Sequence, residues 1–389
     1  MLRRTDAILS LPSLATDMPD KILLVSPASP FAPQSGAQQR TALLHAALQT
    51  LGEVDVLLLE PTPGNSRLAP PKPGILAHGL WHQRPFGISK FQPDRDLNQA
   101  LKANGIDPGN YQLIVSRYLN PISKLAIPPK VRTVVDLDDW GYQYAGDKLA
   151  VRIKSAYAAW LAQRQLKRFD AFFFVSQRDQ ARHPELESAV LPNIPFNAPA
   201  QPFPQSDSAT LLFVGSLWYA PNREGIDRFL ARSWPAIKAA HPQARLLLVG
   251  AAPPAIRQAW EQHPDVSAPG FVDDLGEAYR NAAFTIAPIY SGGGTNIKIL
   301  ESLAYGRACV TTEHCADAFK PDLANAGLAI AHDESGFSKH CIDWLGNIEK
   351  PRRMAEDGHT QIERHYTRTL FFSRVLDLCT AYFQRTQVP

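Results

Sequence analysis

The sequence predicts an α/β protein made of two doubly wound parallel sheets with a ligand-binding cleft between them. Three observations lead to this prediction. Short apolar runs alternate with helical patterns in both halves of the chain, and a Pro-, Gln- and Ser-rich stretch without periodicity, residues 197–208, separates the halves. The length of 389 residues also exceeds what one hydrophobic core usually accommodates. Ligands bind such sheets at the carboxyl ends of their strands.

The N-terminal half opens with a strand–helix–strand pattern. Residues 21–26 (KILLVS) form the first predicted strand, a loop with three prolines leads to Gly36 at the start of an amphipathic helix, and residues 54–59 form the second strand. A Ser-Gly pair at a helix N-terminus could approach a phosphate, or it could only cap the helix. Further predicted elements are strands at 113–117, 131–137 and 171–176, a helix at 147–168 and one long loop at 61–90.

The C-terminal half repeats the alternation. Its predicted strands are residues 210–214, 245–249, 284–289 and 308–312, and its predicted helices are residues 222–240, 254–263, 335–345 and 351–383. Alternating strands and helices of this kind form parallel sheets with helices on both faces.

Most of the recognisable chemistry lies in residues 288–306, PIYSGGGTNIKILESLAYG. A strand, a glycine-rich loop and a helix follow one another, so backbone N–H groups and the helix dipole favour an anion there. Lys298 and Glu301 share one side of the predicted helix. Lys298 could neutralise a phosphate, and Glu301 could accept hydrogen bonds from a ribose diol. The alternative is a glycine turn before a surface helix on which the two residues form an ordinary ion pair.

Carboxylates also follow a predicted strand of the N-terminal half, in the sequence DLDDW. Asp136 and Asp138 could hold a divalent metal on a sugar diphosphate, whereas Asp139 alone could contact a sugar hydroxyl or the acceptor. Each of them could instead cap the following segment. The acceptor-side candidates are His82, which is either a base or a solvent-facing loop residue, and Arg117 at the end of another strand.

Composition excludes several classes of protein. Apolar residues make up 45% of the chain and charged residues 20%, which is ordinary for a globular protein, and a net charge of +3 is too small to indicate nucleic-acid binding. No signal-peptide pattern or membrane-spanning run is visible, so we expect a cytoplasmic protein, with peripheral contact at the inner face of the membrane left open. The four cysteines have no CxxC spacing, which argues against a disulfide framework and a zinc site.

Several blocks resemble the family 4 retaining glycosyltransferases of the GT-B type. The block GGGTNIKILESLAYGRACVTT resembles the donor-site signature of that family, and GSLWYAPNREGIDRFL, LLLVG and GFVDDLGEAY precede it in the expected order. Upstream, KILLVSPASPFAPQSGAQQR resembles the first strand and glycine loop. The resemblance runs from about residue 21 to residue 345 and is more specific in the C-terminal half.

The resemblance implies the GT-B architecture, in which two Rossmann-like domains face a cleft and a C-terminal helix crosses back. The predicted boundaries are an N-terminal extension at 1–20, an acceptor domain at 21–196, a linker at 197–209, a nucleotide-sugar domain at 210–365 and a crossing helix at 366–389. The nucleotide-sugar would bind the C-terminal domain and the acceptor the N-terminal one.

The resemblance also assigns roles to residues. Glu301 matches the ribose-binding glutamate, and Lys298 would balance the phosphate charge. The candidate donor-site residues are Gly36, Ser216, Arg223, Phe271, Val272, Gly292, Gly293, Gly294, Thr295, Lys298 and Glu301. Two positions depart from the family: Gly293 stands where many members have a sugar-binding glutamate, and Ser216 stands where an arginine is usual. The identity of the donor therefore stays open.

The expected function is transfer of a sugar from a nucleoside diphosphate sugar to a hydroxyl acceptor with retention of configuration, in polysaccharide or glycan biosynthesis. Lys298, Glu301 and Asp139 are the expected catalytic residues, and neither a metal nor another cofactor is expected. The expected partners are the donor and a glycan or lipid-linked acceptor. The alternatives are a metal-dependent glycosyltransferase that uses Asp136 and Asp138, a nucleotide-sugar epimerase and a catalytically silent GT-B binding subunit.

Overall fold

The structure is a computed structural model that describes residues 19–33, 35–83, 91–138, 149–196, 198–292, 295–323 and 326–384. Its N-terminal sheet has the strand order β3-β4-β2-β1-β5-β6-β7-β8, in which all neighbours are parallel except the antiparallel pair β3–β4. The strands are β1 (Lys21–Ser26), β2 (Glu53–Thr62), β3 (Arg67–Ala69), β4 (Ala77–His82), β5 (Leu113–Arg117), β6 (Arg132–Leu137), β7 (Ala171–Phe174) and β8 (Ser188–Val190). The helices are α1 (Gly36–Leu48), α2 (Arg95–Ala103), α3 (Leu119–Ser123), α4 (Leu149–Leu166) and α5 (Gln177–Ala181).

The C-terminal sheet is parallel throughout, with the strand order β11-β10-β9-β12-β13-β14. Its strands are β9 (Thr210–Val214), β10 (Arg245–Val249), β11 (Val266–Gly270), β12 (Phe284–Ala287), β13 (Cys309–Thr312) and β14 (Leu328–Ala331). The helices are α6 (Ala220–Arg232), α7 (Trp234–Ala240), α8 (Pro254–Trp260), α9 (Leu275–Arg280), α10 (Ile297–Ala304), α11 (Glu313–Ala316), α12 (Lys320–Leu323), α13 (Glu334–Gly346), α14 (Glu349–His365) and α15 (Arg368–Gln384). Two doubly wound parallel sheets are the predicted fold class, which the structure confirms.

The apolar runs form strands because helices cover both faces of each sheet. In β1, Ile22 and Leu24 belong to one buried cluster, while Leu23 and Val25 belong to the cluster on the opposite face. A strand that is buried on both sides must be apolar at every position, which is why it reads as a continuous run rather than as an alternation. None of the helices in the described segments combines the length and apolar composition needed to cross a bilayer.

The final helix returns to the N-terminal sheet, as the resemblance predicted. Helix α15 packs against α1 and β8. The ring of Phe371 lies under the Arg40 guanidinium at 5.6 Å, and the Tyr382 hydroxyl donates to Asp170 Oδ1 at 3.1 Å. The crossing helix therefore closes the hydrophobic layer of the domain that begins the chain.

The segment between the two sheets is held by the C-terminal one. The buried Arg307 guanidinium donates to the carbonyl oxygens of Phe203 (3.1 Å) and Pro204 (2.7 Å), and Gln205 Nε2 donates to Gly306 O at 2.9 Å. An Arg side chain with several donors can satisfy a stretch of backbone that has no strand partner. The second part of the predicted linker is therefore fixed in place.

The structure corrects three predicted elements and adds an unpredicted edge strand, β11. The region 61–90 was predicted as one loop but contains β3 and β4, whose short alternating sequence AHGLWH was too polar to stand out. The predicted helix 222–240 is interrupted between α6 and α7, where Pro235 in the first turn of α7 cannot continue the preceding helix. The predicted helix 351–383 is likewise two helices. Strand β11 contains Pro269, which is tolerated because β11 lies at the sheet edge.

One glycine is indispensable to the C-terminal sheet. Gly250 follows β10 with φ +147°, and a Cβ at this position would lie 1.9 Å from the carbonyl oxygen of Gly215. We expect Gly250→Ala to lower the free energy of unfolding by about 3 kcal/mol or more, because backbone strain and a steric clash act together. The measurement is the urea midpoint followed by circular dichroism.

Gly105→Ala is the matched control for that substitution. Gly105 also has positive φ (+76°), but a Cβ there would meet no atom within 4 Å. Its substitution should cost only about 1 kcal/mol, the cost of the dihedral angle alone. Equal midpoint shifts for the two variants would contradict the proposed close approach of β9 and β10.

Candidate functional site

The glycine-rich loop joins β12 to α10 and packs against the start of α6. Gly292 has φ +114°, and a Cβ there would lie 2.7 Å from the Tyr219 hydroxyl and 3.2 Å from Pro221 Cγ. The loop therefore needs glycine at this position, both for its dihedral angle and for space. Gly293 and Gly294 lie outside the described residues.

Lys298 lies in the first turn of α10 and is held by two amides. Its Nζ donates to Asn222 Oδ1 at 3.2 Å and to Asn296 Oδ1 at 3.1 Å, and it lies 5.5 Å from the centroid of the Phe213 ring. Burial lowers the pKa of Lys298, although nearby acidic groups including Glu301 partly oppose this. A desolvated ammonium held by neutral acceptors keeps most of its charge available for an anion.

Glu301 lies one turn further along α10 and has a different environment. Burial raises the pKa of its carboxyl group to about 7, even though the charge of Lys298 acts in the opposite direction. Within the described part of the chain the carboxylate receives no hydrogen bond, and Lys298 acts on it only through charge. The ordinary Lys298–Glu301 ion pair, the alternative raised from the sequence, is not formed. Two free acceptor oxygens remain beside a cation.

The N-terminus of α1 reaches this site from the other domain. Ser35 caps the helix by accepting from the Gln38 backbone N–H, and the Gln38 side chain accepts from the Ser35 backbone in return. Helix α10 begins at Ile297, and a Cβ on Gly36 would lie 3.6 Å from the Cδ1 atom of that residue. The N-termini of two helices from different domains therefore meet, and both favour negative charge.

Behind α1 lies a buried network of charges. Arg40 Nε and Nη2 donate to the two oxygens of Asp136 at 2.8 and 2.6 Å, and Arg117 Nε lies 3.0 Å from Asp136 Oδ2. Arg117 Nη2 also donates to Asp138 Oδ2 at 2.7 Å. The side chains of Arg40, Arg117 and Asp136 are completely buried. Charges this deep are tolerated only when they are paired in this way.

This network determines what the predicted aspartates can do. Burial alone would raise the pKa of Asp138, but Arg40, Arg117 and a hydrogen bond from Asn193 lower it by more, so the net shift is downward. Asp136 and Asp138 direct their oxygens at guanidinium groups rather than at an open metal position. No group of three or more His, Cys, Asp or Glu side chains suited to a metal occurs among the residues that the structure describes.

Asn193 connects this network to the glycine-rich loop. Its Oδ1 accepts from Arg40 Nη1 at 2.9 Å, and its Nδ2 donates to Asp138 Oδ1 at 2.9 Å and to Thr295 Oγ1 at 2.5 Å. Asn193 follows β8 in the N-terminal half, whereas Thr295 precedes α10, so this amide is one of the links between the two halves. Sequence reasoning missed Asn193; the available signal was a lone amide in the apolar run VLPNIPF.

The remaining predicted donor residues are spread around the same loop. Ser216 is exposed, and its carbonyl oxygen accepts from Asn222 Nδ2 at 2.7 Å. Arg223 is half-buried in α6. Phe271 has 77% of its surface exposed, whereas Val272 packs against the cluster around the stacked rings of Tyr279 and Tyr305. Of the predicted donor residues, Lys298 and Glu301 thus share α10, while Thr295 and Gly36 lie at the N-terminus of that helix.

The acceptor-side predictions have mixed outcomes. Arg117 is completely buried and also donates to Ala37 O at 2.8 Å, so it stabilises the interior instead of facing an acceptor. Arg117 was predicted to contact the acceptor only because it lies at the end of a strand, and a strand end does not determine where the guanidinium points. His82 ends β4, where its Nδ1 donates to Gly64 O at 2.8 Å. Asp139 lies outside the described residues.

Comparison with known proteins gives a consistent result. Residues 208–347 match the family model of glycosyl transferases group 1. A Klebsiella pneumoniae protein described as an uncharacterized 44.6 kDa protein in the cps region is 23% identical over 218 residues, which cover 53% of this chain and 55% of that protein. The aligned segment thus spans about half the length of that relative.

Two solved structures resemble nearly the whole chain. Sucrose-phosphate synthase from Thermosynechococcus elongatus has a TM-score of 0.68 at 16% identity, covering 94% of this chain and 100% of that one. An E. coli structure described as trehalose-6-phosphate bound with UDP-2-fluoro glucose has a TM-score of 0.62 at 12% identity, covering 93% and 99%. At these identities the likeness shows a shared fold, the predicted GT-B architecture.

The raised pKa of Glu301 makes a prediction about stability. Its pKa is higher in the folded protein than its usual 4.5, so folding favours the protonated form. The stability that the protonated carboxyl group contributes is fully present below about pH 4.5 and is lost as the pH rises through about 7. The Glu301→Gln side chain cannot ionise, so this variant should be more stable than the wild type at alkaline pH. We expect a gain in the free energy of unfolding of about 1–3 kcal/mol, a range that already allows for solvent screening at this partly exposed residue. The measurement is urea unfolding between acidic and alkaline pH.

The control for this prediction is Glu356→Gln, at an exposed carboxylate of α14. It should change the unfolding midpoint little and with no dependence on pH. If Glu301→Gln is instead destabilised at alkaline pH, the carboxylate has a stabilising partner, and its assignment as a free acceptor is wrong.

The Asn193 bridge makes a second prediction. Asn193→Ala should lower the free energy of unfolding by about 2–4 kcal/mol, because Arg40 and Asp138 each lose a hydrogen-bond partner in the interior. Thr295→Val should lower it by about 1 kcal/mol. In the double variant the two costs should be less than additive by about 0.5–1.5 kcal/mol. The measurement is a double-mutant cycle on urea midpoints.

Thr360→Val provides the additive comparison, since Thr360 is exposed on α14 and its Oγ1 donates to the Glu356 carbonyl of the same helix. Asn193→Ala combined with Thr360→Val should show no coupling. A coupling near zero for Asn193 with Thr295 as well would show that the two halves are not joined by this amide.

Proposed function

We propose, from the GT-B fold and the match of residues 208–347 to the glycosyl transferases group 1 model, that this chain is a glycosyltransferase that moves a sugar from a nucleoside diphosphate sugar to a hydroxyl acceptor with retention of configuration. The observation that carries the proposal is the arrangement on α10. A carboxylate that receives no hydrogen bond from the described residues and a desolvated ammonium lie one turn apart, behind two converging helix N-termini. This combination suits a ribose diol and a diphosphate.

The proposed donor site uses the two side chains differently. Glu301 would accept hydrogen bonds from the ribose hydroxyls in its ionised form, and binding would lower its pKa because the donors stabilise the charge. Lys298 and the N-termini of α1 and α10 would lie against the diphosphate, with Arg223 as a further source of positive charge. Thr295 and the loop around Gly292 would contact the phosphate or the sugar. Phe271 and Val272 would lie near the base.

The proposed reaction breaks the bond between the anomeric carbon and the diphosphate oxygen. The electron pair leaves with the diphosphate, whose growing negative charge is stabilised by Lys298 and the helix N-termini. The acceptor oxygen attacks from the same face, and its proton passes to the leaving phosphate, so no protein nucleophile is required. Asp139 remains the proposed contact for the acceptor or the sugar.

The ion pairs that Asp136 and Asp138 form support a proposed reaction without a metal. Asp136 and Asp138 are neutralised by Arg40 and Arg117, so a divalent cation would have to displace buried guanidinium groups to reach them. In this proposal the charge-neutralising role that a metal has in other transferases falls to Lys298 and to backbone dipoles. The competing metal-dependent function has no comparable support.

The acceptor part of the proposal is broader. A glycan or lipid-linked acceptor in polysaccharide biosynthesis is supported by the relative from a cps region. Such an acceptor would place the enzyme at the inner face of a membrane, in the cytoplasm. For the donor, the structural relative that contains UDP-2-fluoro glucose makes uridine nucleotides the first class to test.

The experiment is a ligand-observed NMR panel of UDP-, GDP-, ADP- and dTDP-sugars in EDTA, against the wild type, Glu301→Gln and Glu356→Gln. One nucleotide class should bind the wild type and Glu356→Gln equally. Glu301→Gln should weaken that binding by about 1–3 kcal/mol, the usual loss for a hydrogen bond to a charged group. Because the same substitution is expected to stabilise the fold at alkaline pH, reduced binding there could not be attributed to unfolding.

Each competing function has its own signature in this panel. Binding that requires added manganese would favour the metal-dependent transferase. Conversion of the donor sugar without any acceptor would favour the epimerase, and absence of binding under all conditions would favour the silent subunit. Once an acceptor is found, the anomeric coupling constant of the product tests retention directly.

A further inference from the structure

Helix α4 has two faces of different character. Ala158, Leu161, Ala162 and Leu166 are buried, and the last three belong to the hydrophobic cluster on one face of the N-terminal sheet. On the opposite side of the helix, Ile153, Tyr157 and Trp160 have 62%, 37% and 47% of their surfaces exposed. The chain therefore presents three large hydrophobic side chains to solvent on one helix, although this helix already has a sufficient face for packing.

The exposed hydrophobic residues form one ridge. Ile153, Tyr157, Trp160 and Arg164 are spaced four, three and four residues apart, so they follow the same side of the helix. The rings of Tyr157 and Trp160 are stacked with centroids 5.9 Å apart, and the Arg164 guanidinium lies 4.9 Å over the Trp160 ring. This ridge of Ile153, Tyr157, Trp160 and Arg164 is pre-organised rather than a scatter of single exposed residues.

The charge around the ridge has one sign. Residues 149–168 contain five basic residues and no Asp or Glu, although the whole chain has a net charge of only +3. The basic residues are Arg152, Lys154, Arg164, Lys167 and Arg168. Arg152, Arg164 and Lys167 are exposed. Arg168 is exposed too, but its guanidinium donates a hydrogen bond to the Phe91 carbonyl oxygen. A solvated helix of ordinary function would mix both signs.

We propose that the exposed face of α4 docks onto an anionic phospholipid surface. Trp and Tyr prefer the level of the lipid headgroups, an exposed Ile can enter the acyl boundary below them, and flanking Arg and Lys side chains can contact lipid phosphates. The helix would lie in the plane of the interface, with its buried face remaining on the sheet. This surface goes beyond the proposed sugar transfer and does not depend on it, since neither Lys298 nor Glu301 takes part.

The test is co-sedimentation of the full chain with vesicles of phosphatidylcholine alone and with about one third phosphatidylglycerol, at low and high salt, without nucleotide. We expect at least tenfold stronger partitioning to the anionic vesicles and a loss of that preference in high salt. Trp160→Ser should reduce partitioning about tenfold through the lost apolar contact. Arg164→Glu with Lys167→Glu should reduce it about 100-fold or more, since each charge near the surface contributes strongly.

Matched controls separate this face from general properties of the chain. Trp218→Ser removes an indole of similar exposure from the C-terminal half, and Arg353→Glu with Arg364→Glu reverses two exposed charges on α14. Both controls should bind vesicles as the wild type does. All variants alter exposed side chains, and circular dichroism verifies that they are folded.

Three results would overturn the proposal. The first is equal or absent binding to the two kinds of vesicle. The second is anionic binding that the α4 variants leave unchanged, which would place the lipid contact elsewhere. The third is a dimer of the wild type, without lipid, that Trp160→Ser converts to a monomer, because the face would then belong to a second copy of the chain. Nucleotide binding in the NMR panel remains intact in each case if the proposed transfer is correct, so the two proposals fail separately.

Discussion

The pairing of Arg40 and Arg117 with Asp136 is the constraint on which the rest of the structure depends. Burying these charges without partners would cost several kcal/mol each, so α1, β5 and β6 can pack only in the arrangement that brings all three together. Because Asn193 extends the same network to Thr295, the position of the glycine-rich loop is tied to charges in the other half. The candidate donor site is thus supported by an interior that never contacts a ligand.

Glu301 is the opposite case, because its buried carboxylate lacks a hydrogen-bond partner among the described residues. Its carboxylate is desolvated but receives no hydrogen bond from the described residues, which raises its pKa and opposes folding at neutral pH. Nearby donors could have satisfied it, yet Lys298 is held by Asn222 and Asn296 instead. Local instability of this kind is expected where a protein leaves acceptors available for a ligand.

Sequence reasoning could predict the two sheets, the order of most elements, the crossing helix and the position of Lys298 and Glu301, because these depend on local periodicity and on short motifs. It missed β4, whose polar residues conceal the strand pattern, and it treated Arg117 as a ligand contact because nothing local shows where its guanidinium points. The partner of Asn193, Thr295, is 102 residues away. Long-range pairings between polar side chains leave no trace in periodicity, so this part of the site became visible only in three dimensions.

The return of α15 to the N-terminal sheet has a mechanical consequence. The chain passes between the two halves twice, once before Phe203, where Arg307 secures the backbone, and once between α14 and α15. Two bodies joined at two points turn most freely about the line through those points and resist twisting across it. Any opening of the cleft would then be a rotation about that line, and the segments at the two crossings would move the least.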